Sequence, residues 1–371
     1  MAVKHIVIDA RGRESSTGRY VDRLLESLQK LDTNNRYTVL LKPTDKWAAK
    51  SKNFSATYCK YKAFSFNPIQ QITFSLYLYK LKPDLVHFWM TPQEPIFYFG
   101  KRVTTTHDLT MLRFARAGKL PAVLHTIRMV GYRFLMWYSH RLDKQIIAPT
   151  NFAKQDIISL HPFVKNKISV TLEAAEPALA EAAVEPKTVV KNVKFLFAVG
   201  TAFPHKNLEN LILAHKILLQ KYPDLHLYLA GKKEYYYQKL DAFIEQNTNT
   251  ERVHTMGYIS DAELKWMYEQ ANVYVFPSFS EGFGLPALEA MTHGVPVASS
   301  NATCLPEVCG SAAHYFDPHS PADMAQKIED LLTDKKIRLR LIDEGYLQVK
   351  KFSWRRMAEE TLDIYKKVLS D

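Results

Sequence analysis

The chain has 371 residues, of which 47% are hydrophobic and 23% are charged. That length allows two domains of ordinary size with a core in each, and the composition is that of a globular protein, not a disordered or fibrous one. A formal net charge of +11 indicates an acidic partner or surface, for which nucleic acid, anionic lipid and a phosphorylated substrate are all candidates.

The N-terminus and the cysteines predict the compartment. The first residues pass from an apolar strand directly to polar residues, without the apolar segment and cleavage site of a signal peptide. No uncharged apolar run approaches the roughly 18 residues of a membrane span. Cys59, Cys304 and Cys309 form no paired framework and lack the further ligands of a zinc site. We therefore expect a cytoplasmic protein with reduced cysteines.

Short apolar strands alternate with helical segments through the first half of the chain. The predicted strands are 5–9, 37–41, 84–88, 103–106, 145–148 and 167–170. A helix opens at Gly18 and Arg19, after a loop that lacks the G-x-G-x-x-G pattern of dinucleotide-dependent oxidoreductases. This alternation predicts a parallel, helix-covered sheet whose ligands bind at the carboxyl ends of the strands, and His107 and Asp108 follow one such end.

The segment 121–144 is rich in Leu, Met and aromatic residues and carries four basic residues. An interfacial helix on anionic lipid has this composition. So, more commonly, does a long half-buried helix with basic residues on its solvent side. Both interpretations stay open, and peripheral contact with an anionic membrane is a hypothesis.

A change of composition separates the two halves of the chain. From Ala174 to Val184 the sequence is dominated by Ala, Glu and Pro, as in a domain linker. The strands predicted beyond it are 195–199, 225–230, 253–258 and 273–276. The sequence thus predicts an N-terminal domain over 1–184, a second domain over 185–350 and a helical tail over 351–371.

The loop after the strand 273–276 predicts a binding site. Gly282 and Gly284 precede a helix expected to begin near Leu285. Backbone N–H groups at a helix start lack intrahelical partners, and the glycines allow a phosphate or sugar oxygen to approach the backbone. Glu281 and Glu289 flank this position, and because carboxylates repel phosphate, their expected partners are sugar or ribose hydroxyls. The stretch therefore predicts a ligand with both phosphate and polyol groups.

Taken singly, each of these residues is an ordinary part of a strand, loop and helix. Together, E-G-F-G-L-P-A-L-E-A-M and the following G-V-P-V-A-S-S resemble the E-x7-E signature of retaining glycosyltransferases of the GT-B fold, and more narrowly glycosyltransferase family four. The resemblance covers nearly the whole chain, most strongly 253–318 and least 42–80. It implies two Rossmann-like parallel-sheet domains facing a cleft, with the final helix crossing back to the first domain.

The resemblance also implies roles for individual residues. It assigns Glu281 to hydroxyls of the transferred hexose, Glu289 to the ribose and Lys206 to the diphosphate. In the first domain it assigns His107 to the transferred sugar. The further donor-contacting residues that it implies are Gly18, Arg19, Gly200, His205, Gly257, Tyr258, Gly282, Phe283, Gly284 and Leu285.

The segment 200–207 departs from the family pattern at one position. It is similar to the family's G-x-x-x-x-R-K-N motif, whose basic pair holds the donor pyrophosphate, but His205 replaces the arginine. Histidine, with a reference pKa of about 6.5, does not supply a permanent bidentate cation at neutral pH. Either Lys206 binds the diphosphate alone or with Arg19, or donor binding weakens as the pH rises.

These features predict a retaining hexosyltransferase that moves a sugar from GDP-mannose or a UDP-hexose to a glycan, lipid-linked or small-molecule acceptor. No D-x-D run is present, so neither a metal nor another cofactor is expected. Two alternatives stay open: a nucleotide-sugar epimerase or phosphorylase on the same fold, and a basic nucleic-acid-binding protein. The second lacks a recognisable module of interleaved aromatic and basic residues, so no nucleic acid partner is expected.

Overall fold

The computed structural model describes residues 2–13, 17–114, 121–175, 182–233 and 235–370. The chain forms two compact units. Unit 1 comprises 1–112, 120–173 and 353–371, and unit 2 comprises 113–119 and 174–352. Much of the predicted linker, 176–181, lies outside the described residues.

Unit 1 is built on a parallel sheet. Its described strands are β1 (His5–Asp9), β2 (Arg36–Leu41), β3 (Phe54–Tyr58), β4 (Leu85–Phe88), β5 (Arg102–Thr105), β6 (Gln145–Ala148) and β7 (Ile168–Val170), in the order β3-β2-β1-β4-β5-β6-β7. Its helices include α1 (Gly18–Leu31), α2 (Pro68–Leu81), α3 (Thr110–Arg113), α4 (Ala122–Leu142) and α5 (Asn151–Leu160). The central strands β1, β4, β5 and β6 are buried along their whole length, as expected when helices cover both faces of a parallel sheet.

Unit 2 repeats this architecture. Its described strands are β8 (Phe195–Val199), β9 (His226–Ala230), β10 (Val253–Gly257), β11 (Val273–Phe276), β12 (Val297–Ser300) and β13 (Ala313–Phe316), in the order β10-β9-β8-β11-β12-β13. Its helices include α6 (Leu208–Leu218), α7 (Tyr235–Asn247), α8 (Asp261–Gln270), α9 (Leu285–Thr292), α10 (Leu305–Cys309), α11 (Pro321–Thr333) and α12 (Lys335–Val349). Two parallel α/β sheets are therefore present, as the alternation of elements predicts.

The C-terminal helix α13 (Trp354–Ser370) belongs to unit 1, although the chain reaches it from unit 2. Its apolar face, which includes Met357 and Val368, is buried in the core that also contains the interior face of α1. The Tyr365 hydroxyl lies 2.5 Å from His87 Nδ1, and Lys101 Nζ donates to the Val368 carbonyl at 3.0 Å. Packing and polar contacts thus tie the end of the chain to β4 and β5.

The sequence does not predict two elements, β3 and α2, which lie in the segment 42–80. Strand β3 is at the edge of the sheet, and only its first residue is buried, so it lacks the apolar pattern of an interior strand. Helix α2 has apolar residues around its whole circumference and therefore no helical periodicity. Its start is set by Asn67, whose side chain accepts from the Ile69 and Gln70 N–H groups.

Candidate functional site

The turn into α9 depends on a glycine. Gly284 has φ 104° and ψ 40°, in the left-handed region that favours glycine. A Cβ at this position would lie 2.8 Å from Leu305 Cδ2 and 3.2 Å from the Phe276 ring. The chain therefore passes from β11 to α9 through a closely packed turn that excludes a side chain, and the helix begins at Leu285 as predicted.

Two of the predicted donor-contacting side chains meet at this helix start. Lys206 Nζ donates to Glu281 Oε1 at 2.7 Å, and the two side chains are only 18% and 12% exposed. Lys206 ends a 3-10 turn, Pro204–Lys206, that follows β8, while Glu281 lies in the loop after β11. Adjacent parallel strands end at the same edge of a sheet, so residues 75 apart in sequence form one ion pair.

The loop carrying Glu281 is held by two residues that the sequence does not single out as functional. The Glu281 N–H donates to Thr303 Oγ1 at 3.2 Å. The Cys304 thiol donates to the carbonyl oxygens of Glu281 and Phe283, each at 3.3 Å. Burial raises the pKa of this thiol well above its ordinary value, so Cys304 stays protonated and remains a donor. Cys304 is a free, buried cysteine, but it positions the loop as well as packing the core.

Asn207 joins the loops around the ion pair and was also not singled out. It has φ 58°, and its side-chain N–H groups donate to the Pro277 carbonyl at 2.9 Å and the Pro318 carbonyl at 2.8 Å. These contacts connect the segments that follow β8, β11 and β13. The available signal was its place as the last residue of the G-x-x-x-x-R-K-N-like motif.

Glu289 is buried on α9 instead of lying on a solvated face. The hydroxyl of Tyr268, from α8, donates to Glu289 Oε2 at 3.2 Å. The Tyr268 ring stacks on His293 with centroids 5.6 Å apart and an interplanar angle of 7°. The carboxylate is therefore held in a defined orientation one turn into the helix, close to the loop that carries Glu281.

The predicted glycines at the ends of β8 and β10 are linked through a third glycine. The Gly231 N–H donates to the Gly257 carbonyl at 2.8 Å, and a Cβ on Gly231 would lie 1.9 Å from the Gly200 carbonyl oxygen. The Gly200 carbonyl accepts from the Tyr237 hydroxyl at 3.0 Å. Three strand ends thus approach one another closely, and Tyr258 beside them is 75% exposed.

A pocket of about 220 Å³ lies beside Lys206. It is lined in part by Gly200, Thr201, Phe276 and Ser278, at the carboxyl ends of β8 and β11. The fully buried Ser278 hydroxyl has no hydrogen-bond partner in the part of the chain that the structure describes. The pocket therefore combines a cation, a backbone bend at glycine and a hydroxyl able to bond an incoming group.

The residue that replaces the family arginine is enclosed by aromatic rings. The His205 ring lies 5.9 Å from the Phe203 ring and 6.1 Å from the Phe114 ring, measured between centroids, and the residue is buried. Phe114 stacks in turn on Phe279, and the His205 carbonyl accepts from the Phe279 N–H. His205 therefore packs the loop, whereas the neighbouring Lys206 lines the pocket. This arrangement supports Lys206 as the cation of the motif.

In unit 1, His107 lies between two hydrogen-bond acceptors. Its Nε2 is 3.0 Å from the Trp89 carbonyl oxygen, to which it donates, and its Nδ1 is 3.2 Å from Glu173 Oε1. Because both neighbouring atoms are acceptors, the contact with Glu173 needs a second proton, on the ring or on the carboxyl group. All three residues are buried. The sequence does not single out Glu173, which precedes the Ala-, Glu- and Pro-rich segment.

A buried polar layer lies beneath His107. The Tyr20 ring meets the His107 ring edge-on, with centroids 4.9 Å apart, and the Tyr20 hydroxyl bonds Thr105 Oγ1 at 3.0 Å. His87 Nε2 bonds the same Thr105 oxygen at 2.9 Å. Burial lowers the pKa of His87 to about 3, and the nearby His107 lowers it further, so His87 is neutral. This neutral network orients the elements on which His107 rests.

The remaining predicted residues of unit 1 open α1. Gly18 starts the helix, and a Cβ there would lie 1.5 Å from the Arg13 carbonyl oxygen, so no side chain fits. Arg13 is itself held by ion pairs with Asp22 at 2.6 Å and Asp45 at 2.7 Å. Unit 1 thus contains Gly18, Arg19 and His107, and unit 2 contains every other predicted site residue.

Comparison with known proteins agrees with this architecture. Solved structures with a similar fold include sucrose-phosphate synthase from Thermosynechococcus elongatus, with a TM-score of 0.79 at 17% identity over 99% of both chains. Another is WaaG, a glycosyltransferase involved in lipopolysaccharide biosynthesis, with a TM-score of 0.71 at 15% identity over 97% of this chain and 99% of that one. The expected GT-B fold is therefore confirmed, and the protein is of the GT-B glycosyltransferase class.

Sequence comparison identifies the family. Residues 181–348 match the family model for glycosyl transferases group 1. O-antigen chain mannosyltransferase B of Escherichia coli is 32% identical over 288 residues, 73% of each chain. O-antigen chain mannosyltransferase RfbU of Salmonella typhimurium is 25% identical over 66% of this chain and 69% of its own. The chain belongs to the group 1 glycosyl transferases, which favours the transferase prediction over the epimerase or phosphorylase and nucleic-acid-binding alternatives.

Proposed function

We propose that the chain is a retaining mannosyltransferase of family four, which transfers mannose from GDP-mannose to a saccharide acceptor of a surface polysaccharide. The names of the relatives in Escherichia coli and Salmonella typhimurium support mannose over another hexose and an O-antigen-type glycan over a small-molecule acceptor. A UDP-hexose is the alternative donor.

The observation that carries the proposal is the Lys206–Glu281 ion pair at the start of α9. In the ligand-free protein each charge neutralises the other. When the donor binds, its diphosphate replaces the carboxylate as the partner of Lys206, and the hexose hydroxyls donate to Glu281. Negative charge grows on the diphosphate as the glycosidic bond breaks. Lys206 and the backbone N–H groups at the positive end of α9 stabilise that charge.

The other predicted residues orient the donor and the reaction. Glu289, held by Tyr268, accepts hydrogen bonds from the ribose hydroxyls. Backbone atoms near Gly257 and Tyr258 contact the base, so side chains there have little influence on the choice of nucleotide. With retention, the acceptor hydroxyl attacks from the face that the diphosphate leaves, and His107 is assigned to the sugar undergoing transfer. Because Lys206 and the helix start supply the positive charge, the mechanism assigns no step to a metal.

Nucleotide binding and turnover test the proposal together. GDP is expected to raise the melting temperature more than UDP or ADP, since a ligand at 100 times its Kd stabilises the folded state by about 2.7 kcal/mol. Turnover of GDP-mannose should require a saccharide acceptor, with only slow hydrolysis in its absence, and product NMR should show an α-linkage. An unchanged melting temperature with every nucleoside diphosphate would contradict the donor assignment, and full turnover without acceptor would indicate an epimerase.

The proposal includes peripheral contact of unit 1 with an anionic membrane. Helix α4 is 21 residues long but buries only residues of its C-terminal half, so the long half-buried helix anticipated from the sequence is mostly exposed. Neither α2 nor α4 contains an acidic residue. Exposed apolar residues of α2, α4 and the 96–99 loop include Ile69, Leu76, Phe99, Leu124, Ile127 and Phe134.

These elements form one continuous surface, because side chains connect them. The Tyr79 hydroxyl of α2 accepts from the Phe99 N–H at 2.8 Å, and the Tyr138 hydroxyl of α4 donates to the Ile96 carbonyl at 3.0 Å. Arg128, Arg133 and Arg141 of α4 add basic charge. Apolar area together with basic charge suits an anionic bilayer surface. Among the described residues, no helix is long and apolar enough to cross a bilayer.

Liposome flotation tests this contact. The protein should float with vesicles containing phosphatidylglycerol and not with phosphatidylcholine alone. The double variant Ile127→Glu/Val130→Glu should lose flotation because it places two charges in the apolar surface. Leu339→Glu, at an exposed leucine of α12 in unit 2, is the matched control and should float like the unmodified protein. Flotation that is equal for both variants, or independent of anionic lipid, would contradict the proposal.

A further inference from the structure

Unit 1 contains a second pocket of about 220 Å³, separate from the pocket beside Lys206. It lies beyond the carboxyl ends of β3 and β4 and is closed by the first turn of α2. The residues that line it and bear on its chemistry are Tyr61, Lys62, Gln70, Gln71, Phe74 and Gln93. Nothing in the donor site described above uses these side chains.

Gln93 is the unusual residue of this pocket. It is only 5% exposed, and neither its amide nitrogen nor its amide oxygen has a hydrogen-bond partner among the described residues. The Gln70 amide oxygen, also in the pocket wall, is buried and likewise lacks a partner there. An unsatisfied buried polar group costs about 1–3 kcal/mol, and folded proteins contain few of them. Two neighbouring glutamines in this state indicate that a ligand supplies the missing hydrogen bonds.

Gln71, in the same wall, shows the contrasting arrangement. Its amide nitrogen donates to the Ser65 carbonyl at 2.6 Å, and its amide oxygen accepts from the Ile96 N–H at 2.9 Å. Gln71 therefore builds the wall by joining two loops. Gln93 and Gln70 have no such structural partners, so burial alone does not explain their polar side chains.

The wall behind the pocket is rigid and electrically neutral. Buried Arg11 donates through Nε and Nη2 to both carboxylate oxygens of Asp9, at 2.7 and 2.6 Å. Its Nη1 donates to the Lys62 carbonyl at 2.7 Å, and its guanidinium lies 3.8 Å above the centre of the Phe74 ring. Asp9 neutralises this arginine, so Arg11 does not make the pocket an anion site. Phe74 and Tyr61, with ring centroids 5.2 Å apart, provide apolar surface.

We propose that this pocket binds one neutral sugar ring of the saccharide acceptor; the inference rests on the proposed glycosyltransferase function. Amide groups both donate and accept hydrogen bonds, as sugar hydroxyls do, so Gln93 and Gln70 match vicinal hydroxyls. The aromatic rings match the C–H faces of a pyranose. A volume of about 220 Å³ is below the roughly 300–1,000 Å³ of most small-molecule pockets, which suits one ring and excludes a nucleotide.

The pocket adjoins the His107 region through Gly12 and Trp89. A Cβ on Gly12 would lie 3.1 Å from Gln93 Nε2 and 2.8 Å from Trp89 Cζ2, so only glycine leaves both side chains in place. The carbonyl of the same Trp89 accepts from His107. One sugar ring at Gln93 would therefore lie along the wall that also positions His107.

Saccharide binding by the full-length protein tests the inference. Methyl α-D-mannoside and an α-linked mannobiose are the probes, and Kd is measured by saturation-transfer NMR and calorimetry. Gln93→Leu should raise the Kd by about tenfold or more, the effect of losing one or two neutral hydrogen bonds. Its melting temperature without ligand should be unchanged or higher, because the substitution removes unsatisfied buried groups. A purely structural glutamine would instead lower the melting temperature.

Two controls keep the test decisive. Gln29→Leu makes the same chemical change in unit 1 at a half-buried glutamine outside the pocket, and it should leave the Kd unchanged. Gln70→Leu, at the less buried wall residue, should also raise the Kd, which guards against a folding defect specific to Gln93→Leu. Failure of the unmodified protein to bind either saccharide, or an unchanged Kd in both pocket variants, would overturn the inference. So would binding of inorganic phosphate that Gln93→Leu abolishes.

The outcome is distinguishable from failure of the proposed function. A GDP-induced rise in melting temperature without saccharide binding would leave the donor assignment intact and remove the acceptor pocket. Saccharide binding that depends on Gln93, with no response to any nucleoside diphosphate, would have the opposite meaning.

Discussion

The donor region of unit 2 and the pocket region of unit 1 treat their polar groups in opposite ways. In unit 2, Lys206 and Glu281 satisfy each other in a 2.7 Å ion pair, and Glu289 is bonded by Tyr268. In unit 1, the buried amide of Gln93 has no hydrogen-bond partner in the described part of the chain. The donor region is therefore electrically balanced before any ligand arrives, whereas the pocket of unit 1 depends on its ligand for hydrogen bonds.

This difference follows from the ligands proposed for each region. A diphosphate carries full charge, and an uncompensated buried cation waiting for it would be costly, so the protein pairs Lys206 with a carboxylate that the donor later displaces. A neutral sugar offers only hydrogen bonds, and a pair of uncharged amides costs much less to leave unsatisfied. The five expectations below test the two regions, from the largest effect to the smallest.

Lys206→Ala is expected to have the largest effect. Removing the cation leaves Glu281 facing the leaving diphosphate, so repulsion replaces attraction where charge develops. The kcat should fall by about 10²–10³-fold, the usual result of deleting one electrostatic contact to a transition state. Steady-state kinetics with saturating donor measures it. Lys216→Ala, at an exposed lysine of α6, is the control, and equal losses in both variants would contradict a special role for Lys206.

Glu281→Gln is expected to lower kcat by about 10-fold to 100-fold, because the amide keeps the shape but binds the hexose hydroxyls less strongly than a carboxylate does. Nucleoside diphosphate binding should not weaken, since Lys206 loses its competing partner and remains available to the phosphates. Calorimetry with GDP alongside turnover separates the two effects. Weaker GDP binding with unchanged kcat would show that the residue serves the nucleotide instead of the sugar.

Glu173→Gln tests the His107 region of unit 1. The substitution removes the charge that faces His107 Nδ1 at 3.2 Å but keeps a group of the same size. We expect kcat to fall about tenfold, as for loss of one charge-assisted hydrogen bond, while the GDP-induced shift in melting temperature stays unchanged. Glu173→Asp should restore part of the loss. A decrease in GDP binding, or a lower melting temperature with normal kcat, would indicate a structural role only.

Glu289→Ala should act on binding more than on chemistry. Loss of hydrogen bonds to the ribose should raise the Kd for GDP by about tenfold, with a smaller change in kcat at saturating donor. Tyr268→Phe, which removes the hydroxyl that holds Glu289, should produce a smaller change in the same direction. Unchanged GDP affinity in Glu289→Ala would refute the ribose assignment.

Chelation is expected to have the smallest effect. The mechanism assigns the leaving-group charge to Lys206 and the start of α9, so transfer should continue at an unchanged rate after dialysis against excess EDTA. Initial rates before and after dialysis, with Mg²⁺ or Mn²⁺ added back, measure this. A loss of activity that either ion restores would show that the donor region relies on a metal.

Much of the donor region was predictable because its signals are local. The strand ending at Phe276, the glycine loop and the proline-led helix from Leu285 are adjacent in sequence, and each follows from periodicity and turn chemistry. The parallel character of both sheets also follows from the alternation of short strands with helical segments. The family resemblance of the segment around Glu281 and Glu289 agrees with the group 1 glycosyl transferase match.

Tertiary structure alone decided which distant groups meet. The Lys206–Glu281 pair joins residues 75 apart, and the His107–Glu173 contact joins residues 66 apart. Gln93 is an unremarkable residue in sequence, and only the packing of the loops after β3 and β4 around it leaves its amide buried and unpartnered. Local periodicity specifies a strand and its faces, but strand order decides which loop ends lie together. The sequence therefore determined the elements and the class of donor, and the order of strands in the two sheets determined the sites.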